Sequence, residues 1–193
     1  MTADFPVLLD ACVLVQACLR DTLLRLFQKR LFLARWSDDI IEEVCRTLQM
    51  KLQKSPAQTD HLVLQLREYF ADAWIEGYAD LVSPMTNDPK DRHVLAAAIR
   101  GGCESIVTFN TRDFPASSTD PYNVAVYHPD EFLIDLYYLD AELIVHVLHE
   151  QGSDLNPPKS LQEILRLLQT ACPKFVQLIC TNLDISLETA GTN

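Results

Sequence analysis

At 193 residues and 48% hydrophobic content, the chain can bury one substantial core, with room for a small additional lobe. A net charge of −11, the absence of a run of about 18 uncharged apolar residues, and a Met1-Thr2-Ala3-Asp4-Phe5 start without a basic n-region argue against a membrane span or a secretory leader. A soluble, cytoplasmic globular protein is therefore expected.

Phe5-Pro6-Val7-Leu8-Leu9 is a short apolar run that reads as a buried parallel strand, and it delivers Asp10 at its C-terminal end. In open α/β sheets ligands gather outside such strand ends, although an aspartate at a strand-to-helix turn also serves as an ordinary cap. A helical pattern follows from Cys12 to Gln28. Leu31 to Ala34 reads as a second strand, after which Ser37 caps a helix through about Gln53. In that helix Ile40, Ile41, Val44 and Leu48 form the apolar stripe, with Glu43 beside it; Glu42 projects about 100° away, so at most one of the two glutamates faces inward. Gln58 to Tyr78 reads as a further amphipathic helix, and Asp80 to Ser83 as a short strand.

The next stretch, Asn87-Asp88-Pro89-Lys90-Asp91-Arg92-His93-Val94-Leu95-Ala96-Ala97-Ala98-Ile99, predicts a helix with Asp88 as its cap, Pro89 in the first turn and Asp91 on the same face as Leu95 and Ala98. Two readings of its aspartates stand side by side. One is a cap plus a first-turn charge favoured by the helix dipole; the other is a carboxylate held for a cation. Gly101-Gly102 ends this helix, and Ser105 to Phe109 forms a strand leading to Asn110-Thr111-Arg112-Asp113-Phe114. Val124 to Tyr127 is the last strand. Helices follow at 129–138 and 140–151, then a Gly/Ser/Asn/Pro break at 152–158 and a long amphipathic helix at 160–179 interrupted near Pro173. The order specifies an α/β fold, a three-layer α/β/α domain over 1–128 with a mostly parallel central sheet, plus a helical C-terminal extension over 129–193.

Four acidic stations emerge: Asp10 after a strand, Glu43 on a helix, Asp88 and Asp91 at a helix start, and Asp113 after another strand. Magnesium and manganese prefer such oxygen ligands, and converging carboxylates without a cation repel one another and resist ionisation. The chemistry suggested is hydrolysis of a phosphodiester by an activated water. The charge distribution is compatible with a nucleic-acid partner: eight of the 16 basic residues lie between positions 20 and 54 against five acidic ones, whereas from Ala116 onward three basic residues face eleven acidic ones. Solvated helix faces are the commoner source of such a pattern. A phosphatase built on a DxD pair is disfavoured because Ala11 and Cys12 follow Asp10. The six cysteines form no CxxC pair and read as reduced packing residues. His93 reads as a surface or core histidine, His146 and His149 lack a third ligand, and Trp36 and Trp74 read as core anchors.

Taken in order, Leu8-Leu9-Asp10-Ala11, Ser37-Asp38-Asp39-Ile40-Ile41-Glu42-Glu43-Val44, Asp88-Pro89-Lys90-Asp91-Arg92-His93-Val94-Leu95-Ala96-Ala97-Ala98 and Ile106-Val107-Thr108-Phe109-Asn110-Thr111-Arg112-Asp113-Phe114 resemble the PIN-domain family, and within it the VapC-like ribonuclease toxins. The resemblance covers about Phe5 to Tyr127. It implies a metal-dependent endoribonuclease, with magnesium or manganese in an acidic pocket, acting on tRNA or another structured RNA and inhibited by a cognate antitoxin. Asp10, Glu43 and Asp91 match the family's first three acids, with Asp10, Asp91 and Asp113 as the implied metal ligands. Where many members have Thr-x-Asp, this chain has Thr108-Phe109-Asn110, so the fourth acid is assigned to Asp113, and Asn110 is kept as a polar second ligand or substrate contact. Asp88 is an outer acid or only a cap; Thr108 is positioned to hold a metal ligand by a hydrogen bond, and Lys90 and Arg112 to meet scissile phosphates. The extension resembles one found on a subset of VapC-like proteins and is expected to pack on the core and support dimerisation or antitoxin docking. The Asn110 departure leaves open a catalytically weak RNA- or protein-binding module.

Overall fold

A computed structural model describes residues 5–187. Residues 1–4, on which the reading of the N-terminus partly rests, and residues 188–193 lie outside the described residues. The elements in order are β1 (Pro6–Leu9), α1 (Ala11–Leu14), α2 (Ala17–Gln28), β2 (Leu33–Ser37), α3 (Asp38–Leu52), α4 (Pro56–Tyr69), β3 (Trp74–Ile75), α5 (Ala79–Val82), α6 (Arg92–Arg100), β4 (Ser105–Val107), α7 (Ala116–Thr119), β5 (Ala125–Tyr127), α8 (Pro129–Leu139), α9 (Ala141–Ser153), α10 (Leu161–Leu168) and α11 (Pro173–Asn182).

All strand pairings are parallel, and the sheet order is β3-β2-β1-β4-β5. Leu8 pairs with Arg35 on one side and Ile106 on the other, so β1 occupies the middle of the sheet. Its Val7, Leu8 and Leu9 are fully buried, as expected for a strand covered by helices on both faces. Parallel strands need crossover helices, and the three-layer α/β/α arrangement follows from that connectivity. The chain winds outward from β1 to β3 and then returns to the other side of β1 as β4. The order reverses between β1 and β4, and a reversal of this kind opens a crevice at the carboxyl ends of the two strands.

Several local expectations are corrected. Residues 80–83 are not a strand: Ala79–Val82 is a short helix beside α6, tied to it by the Arg100–Asp80 ion pair at 2.7 Å. The helix expected to run to Tyr78 ends at Tyr69, because Phe70 leaves helical dihedrals and stacks on Phe27 with centroids 5.5 Å apart. Trp74 and Ile75 then pair with Trp36 and Ser37 as β3, a two-residue strand too short for any sequence periodicity to reveal. The Cys12–Gln28 helix is two helices joined at Val15-Gln16, whereas the 160–179 segment carries the interruption expected near Pro173, as α10 and α11. Finally, α6 begins at Arg92 rather than Pro89. Asp88, Pro89 and Lys90 form a turn in which the Asp88 carboxylate accepts from Lys90 N at 3.0 Å, and Asp91 occupies the N-cap position without a capping hydrogen bond. Its carboxylate is thereby left for other partners.

The C-terminal helices continue the same hydrophobic core. Phe132 of α8 meets Phe32 edge-on at 5.2 Å, and Ile144, Val147, Leu148, Ile164, Leu165 and Phe175 are fully buried. Gln151 of α9 is buried against α2: its Nε2 donates to the Cys18 carbonyl at 2.9 Å and its Oε1 accepts from Thr22 Oγ1 at 2.7 Å. Arg25–Asp154 and Lys29–Glu150 pairs flank that contact. Asp130 is buried, and its carboxylate accepts from the Lys174 and Phe175 amides that open α11. No helix among the described residues is long and apolar enough to cross a membrane.

Candidate metal centre

Asp10 stands at the crevice between β1 and β4. Its backbone N–H donates to the Val107 carbonyl at 3.1 Å, which closes the end of the β1–β4 ladder, and its Oδ1 accepts from Ala11 N at 2.6 Å, which caps α1. Thr108, fully buried just past β4, donates through Oγ1 to Asp10 Oδ2 at 2.6 Å and accepts from Asn110 N at 3.0 Å. Asp10 is 4% exposed. A buried carboxylate in such a position is tolerable only because donors surround it. The Thr108 contact is the hydrogen bond that the Thr108 motif led us to expect.

Asp10, Glu43, Asp91 and Asn110 line one open pocket of about 550 Å³, together with Cys12, Val15, Gln16, Arg46, Thr47, Lys51 and Leu52. Glu43 arrives from α3, whose apolar stripe turns Ile40, Val44 and Leu48 into the core and leaves Glu42 exposed. Asp91 arrives from the start of α6. Burial, followed by the charges of Asp10, Asp113, Asp88 and Glu43, pushes the Asp91 carboxyl up to about 6. All of the acids singled out in the sequence thus act on Asp91. Burial also raises the Glu43 carboxyl; the charges of His93 and Arg46 oppose that shift, while Asp10 and Asp39 add to it. His93 Nε2 lies 3.8 Å from Glu43 Oε1, so this histidine turns toward the pocket wall formed by α3.

The remaining candidates stand farther out. Asp113 does not line the pocket: it sits on the turn after Asn110, its N–H donates to the Asn110 carbonyl at 2.9 Å, and its own carbonyl accepts from Asp88 N at 3.1 Å. This loop-to-loop bond joins the Asp88 turn to the Asp113 turn, and the charges of both residues act on Asp91. Lys90 and Arg112 are exposed on the same turns and outside the pocket lining. Among the described residues, no three Asp, Glu, His or Cys side chains form a ready-made metal cage. The donor chemistry nonetheless fits a hard divalent cation: carboxylate and amide oxygens converge on one pocket, and burial followed by the neighbouring acids disfavours the charged form of Asp91, a cost that a cation offsets.

Motif reading did not single out Cys12, Gln16, Arg46, Thr47 or Lys51. Arg46 and Lys51 are signalled only as members of the basic 20–54 segment; Arg46 also stands three residues after Glu43 on the same helix, which puts the two side chains on neighbouring parts of one face. At the opposite, N-terminal ends of β4 and β5 lies a second cavity of about 380 Å³, lined by Phe5, Ser105, Tyr127 and Phe132 and mostly apolar. Two acids, Glu104 and Asp135, also line it.

A parallel α/β/α fold, with acids gathered at the switch point of its central strand, defines the class of protein to which this chain belongs. It is a member of the PIN-domain family, whose profile matches residues 6–112, a span that contains Asp10, Glu43, Asp91 and Asn110 and stops one residue short of Asp113. A second profile, the VapC50 C-terminal domain, matches residues 129–180. The chain is 40% identical over 104 residues to the Mycobacterium tuberculosis protein named "Putative ribonuclease VapC50", an alignment that spans 53% of this chain and 62% of that relative. The chain is thus VapC-like in both its PIN domain and its C-terminal helices. No solved structure matches it significantly.

Proposed function

We propose that this chain is a magnesium- or manganese-dependent endoribonuclease, the toxin of a type II toxin–antitoxin module. The observation that carries the reading is the pocket at the β1–β4 switch point, where Asp10, Glu43, Asp91 and Asn110 meet and Asp91 is pushed up to about 6. The 40% identity to a protein whose name describes a ribonuclease supports the reaction class.

In this reading Asp10 and Asp91 would hold the cation from the pocket, with Asp113 completing the set and Asp88 acting as an outer acid. When bound, the divalent ion supplies charge neutralisation at the scissile phosphate and lowers the pKa of a coordinated water. Thr108 fixes the orientation of Asp10. Glu43, held partly protonatable by burial, takes or returns a proton at its carboxylate oxygen at the pocket wall. Asn110 offers an amide to the substrate or the ion, while Arg46 and Lys51 contact flanking phosphates. Lys90 and Arg112, exposed on the outer turns, meet the RNA farther along. The substrate is a structured RNA such as a tRNA, the regulator is a cognate antitoxin protein, and the working form is a cytoplasmic homodimer in which the C-terminal helices stiffen the nuclease core.

A second reading, a PIN-fold RNA- or protein-binding module of low activity, draws on one observation: Asn110 rather than an acid lines the pocket after β4. RNA cleavage with magnesium or manganese separates the two. The nuclease reading expects Asp10→Ala and Asp91→Ala to lose at least about 100-fold in rate, and EDTA to abolish cleavage. Cleavage that survives both substitutions or EDTA refutes the proposed site, and binding without cleavage by the wild type selects the second reading.

A further inference from the structure

The thiol of Cys12 sits in the hydrogen-bond network of Asp10, a role that its apolar sequence context did not suggest. Its Sγ donates to Asp10 Oδ2 at 3.1 Å, lies 3.3 Å from Thr108 Oγ1, and accepts from Phe109 N at 3.3 Å. One side chain thus stitches the end of β1 to the segment leaving β4. Each carboxylate oxygen offers two acceptor sites. On Asp10, Oδ2 receives both Thr108 and Cys12, whereas among the described residues Oδ1 receives only Ala11 N at 2.6 Å.

We infer that Cys12 is a positioning residue for Asp10: its thiol fills the second acceptor site of Oδ2, locks the carboxylate rotamer, and leaves the open acceptor site on Oδ1, the oxygen available to a divalent cation. The assignment rests on the proposed metal site and deepens it. Thr108 alone leaves Oδ2 with one free acceptor site and the carboxylate with two similar oxygens. With Cys12 present the two oxygens are chemically distinct, and the carboxylate is oriented before the ion arrives. The thiol also satisfies Phe109 N–H, so that removing the sulfur leaves a donor without its partner and loosens the turn that presents Asn110.

The test compares wild type, Cys12→Ala and Cys12→Ser by Mn2+ titration calorimetry, with thermal unfolding of each metal-free protein and RNA cleavage as separate arms. Serine keeps an O–H donor and an acceptor at this position, and alanine keeps neither. Cys12→Ala is expected to weaken Mn2+ binding about tenfold, and Cys12→Ser to restore it to within about threefold of wild type, the range typical of groups that orient a metal ligand. A folded Cys12→Ala protein with wild-type Mn2+ affinity overturns the assignment. So does a folded Cys12→Ser protein as weak as the alanine variant, or a wild type that binds no Mn2+. Should Cys12→Ala fail to fold, Cys12→Val, which fills the space but has no donor or acceptor, takes its place in the comparison with the same expected loss and the same overturning result. A wild type that binds Mn2+ but cleaves no RNA overturns the nuclease reading and leaves the role of Cys12 standing.

Discussion

The acid most affected by its surroundings is Asp91, and the shift has a definite sign. Its carboxyl is pushed up to about 6 by burial and then by Asp10, Asp113, Asp88 and Glu43, above the ordinary carboxyl value of 3.8 that it would have when unfolded. The folded state therefore binds the extra proton, and the metal-free protein loses stability as pH rises from about 4 through 6. Replacing Asp91 with asparagine removes that cost at neutral pH. In EDTA at pH 7, Asp91→Asn is expected to melt about 2–4 °C above wild type, the effect of about 1 kcal/mol after solvent screening of a half-buried group is allowed for. At pH 4 the gap should close, and a thermal scan at the two pH values checks it. Asp91 and Asp10 were legible in the sequence because a strand end and a helix start each announce themselves locally. Cys12 was not, since a thiol in an apolar run reads as packing until its partners are known.

At the scale of the element, α3 organises the pocket wall. Its 3.6-residue repeat buries Ile40, Ile41, Val44 and Leu48 and sends Glu43, Arg46, Thr47 and Lys51 to the site. Acid and base thus share one helix, with the glutamate nearest the acids and the cations farther along. Arg46→Glu and Lys51→Glu should each weaken RNA binding across sequences and reduce the slope of log affinity against log salt by about one, as expected for the loss of a phosphate contact. Filter binding at several salt concentrations measures this; an unchanged slope would place the RNA elsewhere. The Glu43 stripe was readable from periodicity. The start of α6 was misread by one turn, because Asp-Pro signals a helix start while the Asp88 side chain in fact caps the preceding turn. That shift matters to the site, since it leaves Asp91 with an uncommitted carboxylate.

At the scale of the whole molecule, the C-terminal helices share a core with the sheet domain. Gln151 is the polar rivet, buried at 2% exposure and bonded to Thr22 and Cys18 across 129 and 133 positions of chain. Gln151→Ala removes both bonds across the contact, leaving the Thr22 hydroxyl and the Cys18 carbonyl only each other, and should cost about 1–3 kcal/mol in urea unfolding. A single cooperative transition is expected in wild type, because α9 and α10 pack on α2 and Phe132 of α8 meets Phe32 and Tyr127, so the extension shares its core with the sheet domain. Two separate transitions would show the extension to be an independent unit.

The acids assigned to the site rest on the resemblance of four ordered motifs to the PIN-domain family; by itself the sequence determined the local elements that carry a strong period and the parallel α/β class. These are properties of short stretches, set by side-chain spacing and cap chemistry. The tertiary structure decided the sheet order β3-β2-β1-β4-β5, which brings Asp10 to Thr108 over 98 positions. It also decided that Asn110 rather than Asp113 lines the pocket, and that a cysteine holds the first aspartate. Such pairings depend on which distant strands bury one another, and no local spacing encodes that.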